Sequence, residues 1–473
     1  MMANARQPSF LVIALCLPFI LWGVCGILPT FDDYTTLQSP WWVQISDPGY
    51  FFPDAVRRPF DFLLGCIVGW LPSLFPALNH VLIILAHTIS ACLVFTICQR
   101  LRFSQLASNV ATLFFFFSPA TLGATLACDG FNQSYAQMWG LMALWQYQKS
   151  NRKHYWLVCV VLAALSKENG LAWAVVPPIV AYAFRQIPRQ QALRHIIYGV
   201  LLALAYFGVY ALIYASGIVH VEYPEEYSSG TIMSHVSDFI QLMAYTWLPM
   251  DYMSVVYPPT RSITIAVVTA LVSLPFLLLL ASRFALFKTR QALLLAACFI
   301  ILAAPHLITV VSIMHNYAAL AMASFIIAFF VSHINRCRSV LITFSLFMAS
   351  ALFTDLHHFF AARQSGLLGK ELAMQAINHA SQPLQRALVI NIDNPDEPSY
   401  SSFCVRPVDA FGWGLSVRHY SRYEWNTRID EVTLSHYDEQ QVEAIADSSL
   451  RAGNEVVWVV GHRSDSLTII SEE

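Results

Sequence analysis

The sequence predicts a polytopic α-helical membrane protein with about eleven transmembrane helices and a small α/β domain at its carboxyl-terminal end. Of its 473 residues, 57% are hydrophobic and 12% are charged, whereas soluble domains average roughly 45–50% and 25%. A chain of this composition cannot cover a water-exposed surface with polar groups, which excludes a soluble or disordered protein. The net charge of -2 provides no basic patch for nucleic acid. We therefore expect membrane lipids, and no nucleic acid, among its partners.

The apolar residues form runs that can cross a bilayer, which takes about 20 residues. The first run, from Phe10 to Leu28, is not followed by a signal-peptidase site, and we interpret it as an anchor rather than a signal peptide. The loop at 30–79 follows, and its apolar stretch at 60–75 is broken by glycine and proline, which favours a helix in the membrane interface. The other predicted spans lie at about 80–99, 105–123, 130–147, 154–167, 171–185, 195–216, 262–282, 291–311, 315–334 and 338–355.

The spans at 154–167 and 171–185 are short. The step between them, Lys167 to Gly170, is either a turn near one membrane surface or a break in a single long helix. We favour the turn, because a glycine often ends a helix.

Charge placement orients the spans. With eleven alternating spans, fourteen of the eighteen Lys and Arg residues before position 357 fall on one side. Because basic residues are in excess in cytoplasmic loops, this side is predicted to be cytoplasmic and to hold the amino terminus. Every Asp and Glu before position 357 falls on the other side. The carboxyl terminus is then extracytoplasmic, together with a first outer loop at 30–79 and a late outer loop at 218–261.

Residues 357–473 differ from residues 1–356, which we predict to be the transmembrane domain. They contain sixteen of the 29 acidic residues and no apolar run of spanning length. Three short apolar runs predict buried strands and one polar stretch predicts a helix. These segments lie at 387–392, 455–460, 466–470 and 438–451 respectively. We therefore expect a small α/β domain outside the membrane.

The first candidates for chemistry are Asp32 and Asp33, an acidic pair directly after the first predicted helix. Carboxylates at a membrane boundary are costly unless they are solvated, paired or functional. Such a group can accept a proton from a hydroxyl or amine nucleophile, and it can also bind a divalent cation. The pair is therefore either part of a catalytic site or the solvated start of a loop. No cofactor other than a divalent cation is indicated.

Three basic residues on the outer side are candidates for binding a donor phosphate. Arg57 and Arg58 lie in the first outer loop, and Lys167 lies between the two short spans. Guanidinium groups make bidentate, charge-assisted bonds to phosphate oxygens. The arginines could equally contact anionic head groups or nearby acids, and Lys167 could pair with Glu168.

Asp129, Glu168 and His80 are candidates for positioning an acceptor. Asp129 lies in a short outer hairpin, where an acid is usually a turn residue. His80 begins a predicted span. A metal site formed by His80 and His87 is disfavoured, because seven helical residues separate the two by about 10 Å.

These motifs, in this order and on one predicted side of the membrane, resemble the GT-C superfamily of membrane glycosyltransferases. The resemblance is to its protein O-mannosyltransferase and TPR-bearing O-mannosyltransferase branch, over about residues 10–216. The elements that carry it are the acidic pair, Arg58-Pro59, the segment from Leu74 to His80, the Ser118-Pro119 helix end, the Asp129 turn and Lys167-Glu168-x-Gly170.

The resemblance implies that a sugar is transferred from a polyprenyl-phosphate donor to a protein, lipid or glycan acceptor on the extracytoplasmic face, with inversion. Asp32 would be the first choice for the general base and Asp33 the second, while Arg58 and Lys167 would stabilise the phosphate leaving group. The chain contains neither tetratricopeptide repeats nor a MIR-type insertion, so the acceptor stays open. We expect the inner membrane of a bacterium rather than the endoplasmic reticulum.

Two other functions fit a polytopic membrane protein. A secondary transporter or lipid flippase would require acids buried within helices and an internal repeat. A polysaccharide polymerase or ligase would require arginines in a large late loop, where this chain has only Arg261. Both alternatives stay open.

Overall fold

The computed structural model describes the chain in separate stretches. They cover residues 27–30, 33–36, 59–60, 62–63, 67, 80–127, 130–149, 154–217, 232–249, 262–307, 316–392, 407–422, 424–463 and 466–471. Most of these residues are helical, and a small sheet lies towards the carboxyl-terminal end.

A succession of α-helices precedes the sheet. They are α1 (Asp33–Thr36), α2 (Val81–Arg100), α3 (Gln105–Phe117), α4 (Leu122–Thr125), α5 (Phe131–Lys149), α6 (Tyr155–Ser166), α7 (Val176–Ala183), α8 (Arg189–Ala215), α9 (Ile232–Trp247), α10 (Ser262–Ala281), α11 (Arg290–Ala303), α12 (Asn316–Ser332) and α13 (Cys337–His379). Short 3-10 helices lie between several of them, at Pro119–Thr121, Glu168–Ala174, Phe284–Lys288 and Ala304–Leu307.

Three of the described helices, α2, α8 and α13, are long and apolar enough to cross a membrane. A fourth span forms if α3 and the following Pro119–Thr125, which are bent by 47°, act together. These helices support a membrane protein. The eleven spans predicted from the sequence are not supported by the described residues, and the predicted first span at 10–28 lies almost entirely outside them.

The difference has two physical causes. Helices lie in the other predicted ranges, but several are too short to cross about 30 Å of hydrocarbon at about 1.5 Å per residue. Helix α6 has 12 residues and α11 has 14. Helix α5 has 19 residues, but Asn132, Gln133 and Gln137 make its first half polar.

Ser118 and Pro119 explain the bend after α3. Ser118 leaves the helical conformation, with φ −70° and ψ 129°, and its hydroxyl accepts a hydrogen bond from the backbone N–H of Ala120 at 3.3 Å. Proline cannot donate the hydrogen bond that would continue α3. The chain therefore restarts in a new direction at Pro119.

Helix α12 lies inside the helical part, because every residue from Asn316 to Val331 is buried. Helix α8 differs, since it presents large exposed apolar side chains, Leu201, Leu204, Phe207 and Leu212 among them. A helix that is apolar on its exposed face requires an apolar environment. Helix α8 is therefore a peripheral, lipid-facing candidate span.

The sheet has four strands, β1 (Arg386–Ile392), β2 (Arg428–Leu434), β3 (Val456–Arg463) and β4 (Ser466–Ile470), in the order β2-β1-β3-β4. Strand β1 pairs in parallel with β2 and β3, and β3 pairs antiparallel with β4. Helices α14 (Pro407–Phe411), α15 (Leu415–Tyr420) and α16 (Glu439–Arg451) accompany it. The predicted small α/β unit is therefore present.

Alternate residues of β1 face opposite sides of the sheet, and helices cover both sides. Ala387 and Val389 pack with Leu372 of α13, whereas Leu388 and Ile390 pack with α16. Helix α13 runs without a break through position 356 and reaches the sheet. The long helix thus connects the helical part to the α/β unit.

Candidate functional site

Asp33 begins α1 and is buried, with 1% of its surface exposed. Its Oδ2 accepts a hydrogen bond from the backbone N–H of Thr30 at 2.9 Å, and its own N–H donates to the Thr30 carbonyl at 2.9 Å. This reciprocal pair fixes the carboxylate relative to the backbone. The other member of the acidic pair, Asp32, lies outside the described residues.

Tyr34 anchors the segment that holds Asp33 to neighbouring parts of the fold. Its hydroxyl donates to the Pro29 carbonyl at 2.7 Å, and its ring packs with Leu82 of α2. Leu82 also packs against the apolar cluster that contains Phe131, the first residue of α5. The segment that holds Asp33 therefore adjoins the beginnings of α2 and α5.

His80 lies directly before α2 and is fully buried. Its Nε2 donates a hydrogen bond to the backbone carbonyl of Leu126 at 2.7 Å. This contact joins the start of α2 to the end of α4. His80 is also two residues before Leu82, which packs with Tyr34, so it lies close to the segment of Asp33.

Lys167 lies in an extended conformation, with φ −156° and ψ 139°, between the end of α6 and the 3-10 helix that starts at Glu168. Its Nζ donates to Oδ1 of Asn132 at 3.4 Å. Glu168 Oε1 accepts from the Tyr210 hydroxyl of α8 at 3.4 Å. The Lys167–Glu168 step therefore contacts both α5 and α8. The N–H of Gly170 donates to the Lys167 carbonyl at 2.8 Å, so the chain turns here rather than continuing as one helix.

Gly170 is required for this conformation. A Cβ atom at that position would overlap the backbone carbonyl of Ala163 in α6. The glycine lets the 3-10 helix fold back closely against α6, which keeps Lys167 and Glu168 at the helix ends.

Amide side chains surround the same step. Asn169 donates from Nδ2 to Oε1 of Gln133 at 3.0 Å, and the same nitrogen lies 2.7 Å from Nε2 of His306. Gln137 lies one turn beyond Gln133 on α5 and is buried. Sequence reasoning missed Gln133, Gln137 and Asn169 as site residues. The signal that could have found them is the polar first half of an otherwise apolar helix.

A path of contacts links two predicted site residues that are far apart in the sequence. It runs from Asp33 and its neighbour Tyr34, through Leu82 and the cluster of Phe131, to Asn132 and then Lys167. The path brings the acid and the amine to one group of helix ends.

The remaining predicted site residues are not described. Arg57, Arg58 and Asp129 lie outside the described residues, as Asp32 does. Among the side chains that the structure describes, no group of three or more His, Cys, Asp or Glu could hold a metal ion.

Asp355 is a buried acid to which the sequence analysis assigned no role. It lies in α13 with 2% of its surface exposed, and neither carboxylate oxygen has a hydrogen-bond partner among the described residues. A carboxylate in such a position is costly and is often functional.

Comparisons of the chain with family models, with curated proteins and with solved structures give no match.

Proposed function

We propose that this chain is an integral membrane glycosyltransferase that transfers a sugar from a polyprenyl-phosphate donor to an acceptor on the extracytoplasmic face. The observation that carries the proposal is the contact path from Asp33 to Lys167. A fixed carboxylate and an amine at one group of helix ends suit base-assisted attack on a sugar that is linked to phosphate. The order of the sequence motifs, which resembles that of GT-C transferases, is independent support.

In the proposed reaction, a carboxylate removes the proton from the acceptor nucleophile as that nucleophile attacks the anomeric carbon. The bond from the anomeric carbon to the phosphate oxygen breaks with inversion, and its electron pair leaves on polyprenyl phosphate. Asp32 is the first choice for the base and Asp33 the second. Lys167, Arg57 and Arg58 bind the phosphate and stabilise its developing charge.

Asp129, Glu168 and His80 position the acceptor in this proposal. The contacts of Glu168 with Tyr210 and of His80 with Leu126 hold both side chains at helix ends on the predicted outer side. The acceptor is a protein, a lipid or a glycan. A divalent cation on the acidic pair is compatible with this reaction.

We also propose the topology that charge placement predicts. It has a cytoplasmic amino terminus and a GT-C-like catalytic domain at 1–356, with residues 357–473 outside a bacterial inner membrane. Fusion of alkaline phosphatase to the carboxyl terminus should then give an active enzyme, since this reporter folds only outside the cytoplasm. An inactive phosphatase, together with a fluorescent cytoplasmic reporter at the same position, would contradict the topology.

The function is tested with the full chain in nanodiscs, by measuring release of polyprenyl phosphate from polyprenyl-phosphate sugars in the presence of membrane acceptors. Asp32→Asn or Asp33→Asn should lower the rate by roughly 100-fold or more, because a general base contributes about 10²–10⁴-fold. Asp47→Asn, in the same predicted loop, is the matched control and should retain activity. Near-normal turnover by both site variants would exclude an acidic-pair base.

Asp355 supports a second candidate, a secondary transporter or flippase. An acid that is buried in a helix without a partner is typical of proton-coupled or ion-coupled transport. Transport assays in proteoliposomes discriminate the two functions, because a flippase moves the intact lipid-linked sugar whereas a transferase splits it.

A further inference from the structure

A set of buried amide groups faces the Lys167 step. The unpartnered atoms are Nε2 of Gln133, both amide atoms of Gln137 and Oδ1 of Asn169, and none of them has a hydrogen-bond partner in the described chain. Gln133 and Gln137 each expose 2% of their surface. Buried polar groups normally have partners, so this cluster has unused hydrogen-bonding capacity. We name Gln133, Gln137 and Asn169 the amide cluster.

The members of the amide cluster belong together in space. Gln133 and Gln137 are four residues apart on α5 and therefore lie on one face of that helix. Asn169 binds Gln133 directly, with Nδ2 and Oε1 3.0 Å apart. Two donors and two acceptors therefore lie within one small region between α5 and the 3-10 helix at Glu168–Ala174.

We propose that the amide cluster is the subsite that binds the sugar ring of the donor. The inference rests on the proposed function, because it assigns a place to the sugar of a lipid-linked donor. A sugar hydroxyl both donates and accepts hydrogen bonds, which matches a site that offers amide N–H and C=O groups side by side. The amides carry no charge, so they suit a neutral ring better than a phosphate.

The position of Lys167 supports this assignment. In a polyprenyl-phosphate sugar the ring is bonded directly to the phosphate, so the ring must lie beside the group that binds the phosphate. Lys167 is two residues before Asn169, and its Nζ contacts Asn132, which precedes Gln133. The charged group and the amide cluster are therefore adjacent along both chain segments.

The cluster adjoins residues that are partly exposed. Lys167 and Asn169 are partly exposed, whereas Gln133 and Gln137 are buried.

A single unpartnered amide would not form a sugar subsite. Gln148, near the other end of α5, also has an amide without a partner among the described residues. No second amide with unused atoms is bonded to it, and it lies about 16 Å from Gln137 along the helix. Gln148 therefore provides a matched control on the same helix.

The test uses the full chain in nanodiscs and measures binding of short prenyl lipids by microscale thermophoresis. The probes are citronellyl phosphate and the citronellyl phosphates of mannose, glucose, galactose and N-acetylglucosamine. We expect at least one sugar-bearing lipid to bind tenfold or more tightly than citronellyl phosphate. Gln137→Met should remove this preference and leave the affinity for citronellyl phosphate within about twofold. Gln148→Met should keep the preference.

Asn169→Ala, at a partly exposed position, keeps the test valid if Gln137→Met does not fold, and it should weaken the preference at least threefold. An unchanged preference in both folded variants would overturn the subsite, as expected if the amides bind only water. If the unchanged protein binds all probes equally, the sugar subsite is overturned. The proposed function is not contradicted by that result, because the protein still binds a lipid phosphate. Failure of every probe to bind would overturn the subsite and count against the proposed function as well.

Discussion

The ring of Tyr34 packs against the ring of His419, with centroids 5.9 Å apart. The two residues belong to the segment that holds Asp33 and to α15 beside the sheet. Tyr420 adds a second ring at 6.5 Å in an edge-on arrangement. The α/β unit therefore contacts the candidate site directly, and it braces the backbone next to Asp33.

Replacement of Tyr34 measures this bracing. Tyr34→Phe removes the hydrogen bond to Pro29 and should cost about 1 kcal/mol. Tyr34→Ala also removes the ring contacts and should cost about 3–5 kcal/mol, as for other large buried aromatic side chains. Hydrogen exchange of the peptides that contain 27–36 and 407–422 should rise together in Tyr34→Ala. Faster exchange in only one of them would show that the contact does not couple the two segments.

The buried ring of His419 predicts a stability that depends on pH. Burial lowers the pKa of His419 from 6.5 to about 4, so the folded chain keeps it neutral where the unfolded chain takes up a proton. The free energy of unfolding should be constant above pH 6.5 and should fall between pH 6.5 and about 4, by roughly 3 kcal/mol at most. Hydrogen exchange of β1 and β3 as a function of pH checks this.

The matched variants separate this effect from the titration of carboxylates. His419→Gln should flatten the part of the curve between pH 6.5 and 4, whereas replacement of the exposed His436 by Gln should leave it unchanged. A curve for His419→Gln that parallels the original would assign the acid sensitivity to other groups.

Gly369 of α13 permits the close approach between the helix and the α/β unit. A Cβ atom there would overlap the carbonyl oxygen of Ala410 and lie 3.1 Å from the Tyr34 hydroxyl. Gly369→Ala should therefore lower the free energy of unfolding by about 1–3 kcal/mol. Gly208 on α8 is the control, since nothing lies within 4 Å of the position of its Cβ.

Gly208→Ala should stabilise its helix by up to about 1 kcal/mol, because alanine has the higher helix propensity. Thermal unfolding midpoints in the same detergent compare the two variants. A similar change in both would mean that the contact with Ala410 does not limit the packing.

Lys167 should affect binding of the donor more than stability. Lys167→Gln keeps an amide that can contact Asn132 but removes the positive charge, and we expect at least tenfold weaker binding of citronellyl phosphate with an unchanged unfolding midpoint. Lys149→Gln, at the other end of α5, is the control. Equal affinity in Lys167→Gln and the original protein would remove Lys167 from the phosphate site.

Local sequence patterns predicted the secondary-structure elements better than the tertiary contacts between them. Apolar runs located β1, β3 and β4, because buried strands have continuous apolar sequences. Strand β2 was missed, since its sequence, from Arg428 to Leu434, contains three charged residues and no continuous apolar run, as is typical of an exposed edge strand. The contact of Tyr34 with His419 joins residues separated by most of the chain, and no local pattern specifies it. Polar residues within α5 were visible, but the bond between Gln133 and Asn169 depends on the fold.

Asp355 provides the sharpest distinction between the two candidate functions. Its carboxylate is buried in α13 without a described partner, so a neutral side chain of the same shape should be tolerated or preferred. Asp355→Asn should therefore raise the unfolding midpoint by a few degrees, which for a chain of this size corresponds to about 1–2 kcal/mol.

If the chain is a transferase, sugar transfer should persist in this variant, because the proposed base lies in the Asp32–Asp33 pair. If it is a proton-coupled transporter, transport should be lost although the protein is more stable. A lower midpoint for Asp355→Asn would show that the acid is paired with a cation, and it would remove the reason for assigning Asp355 to transport.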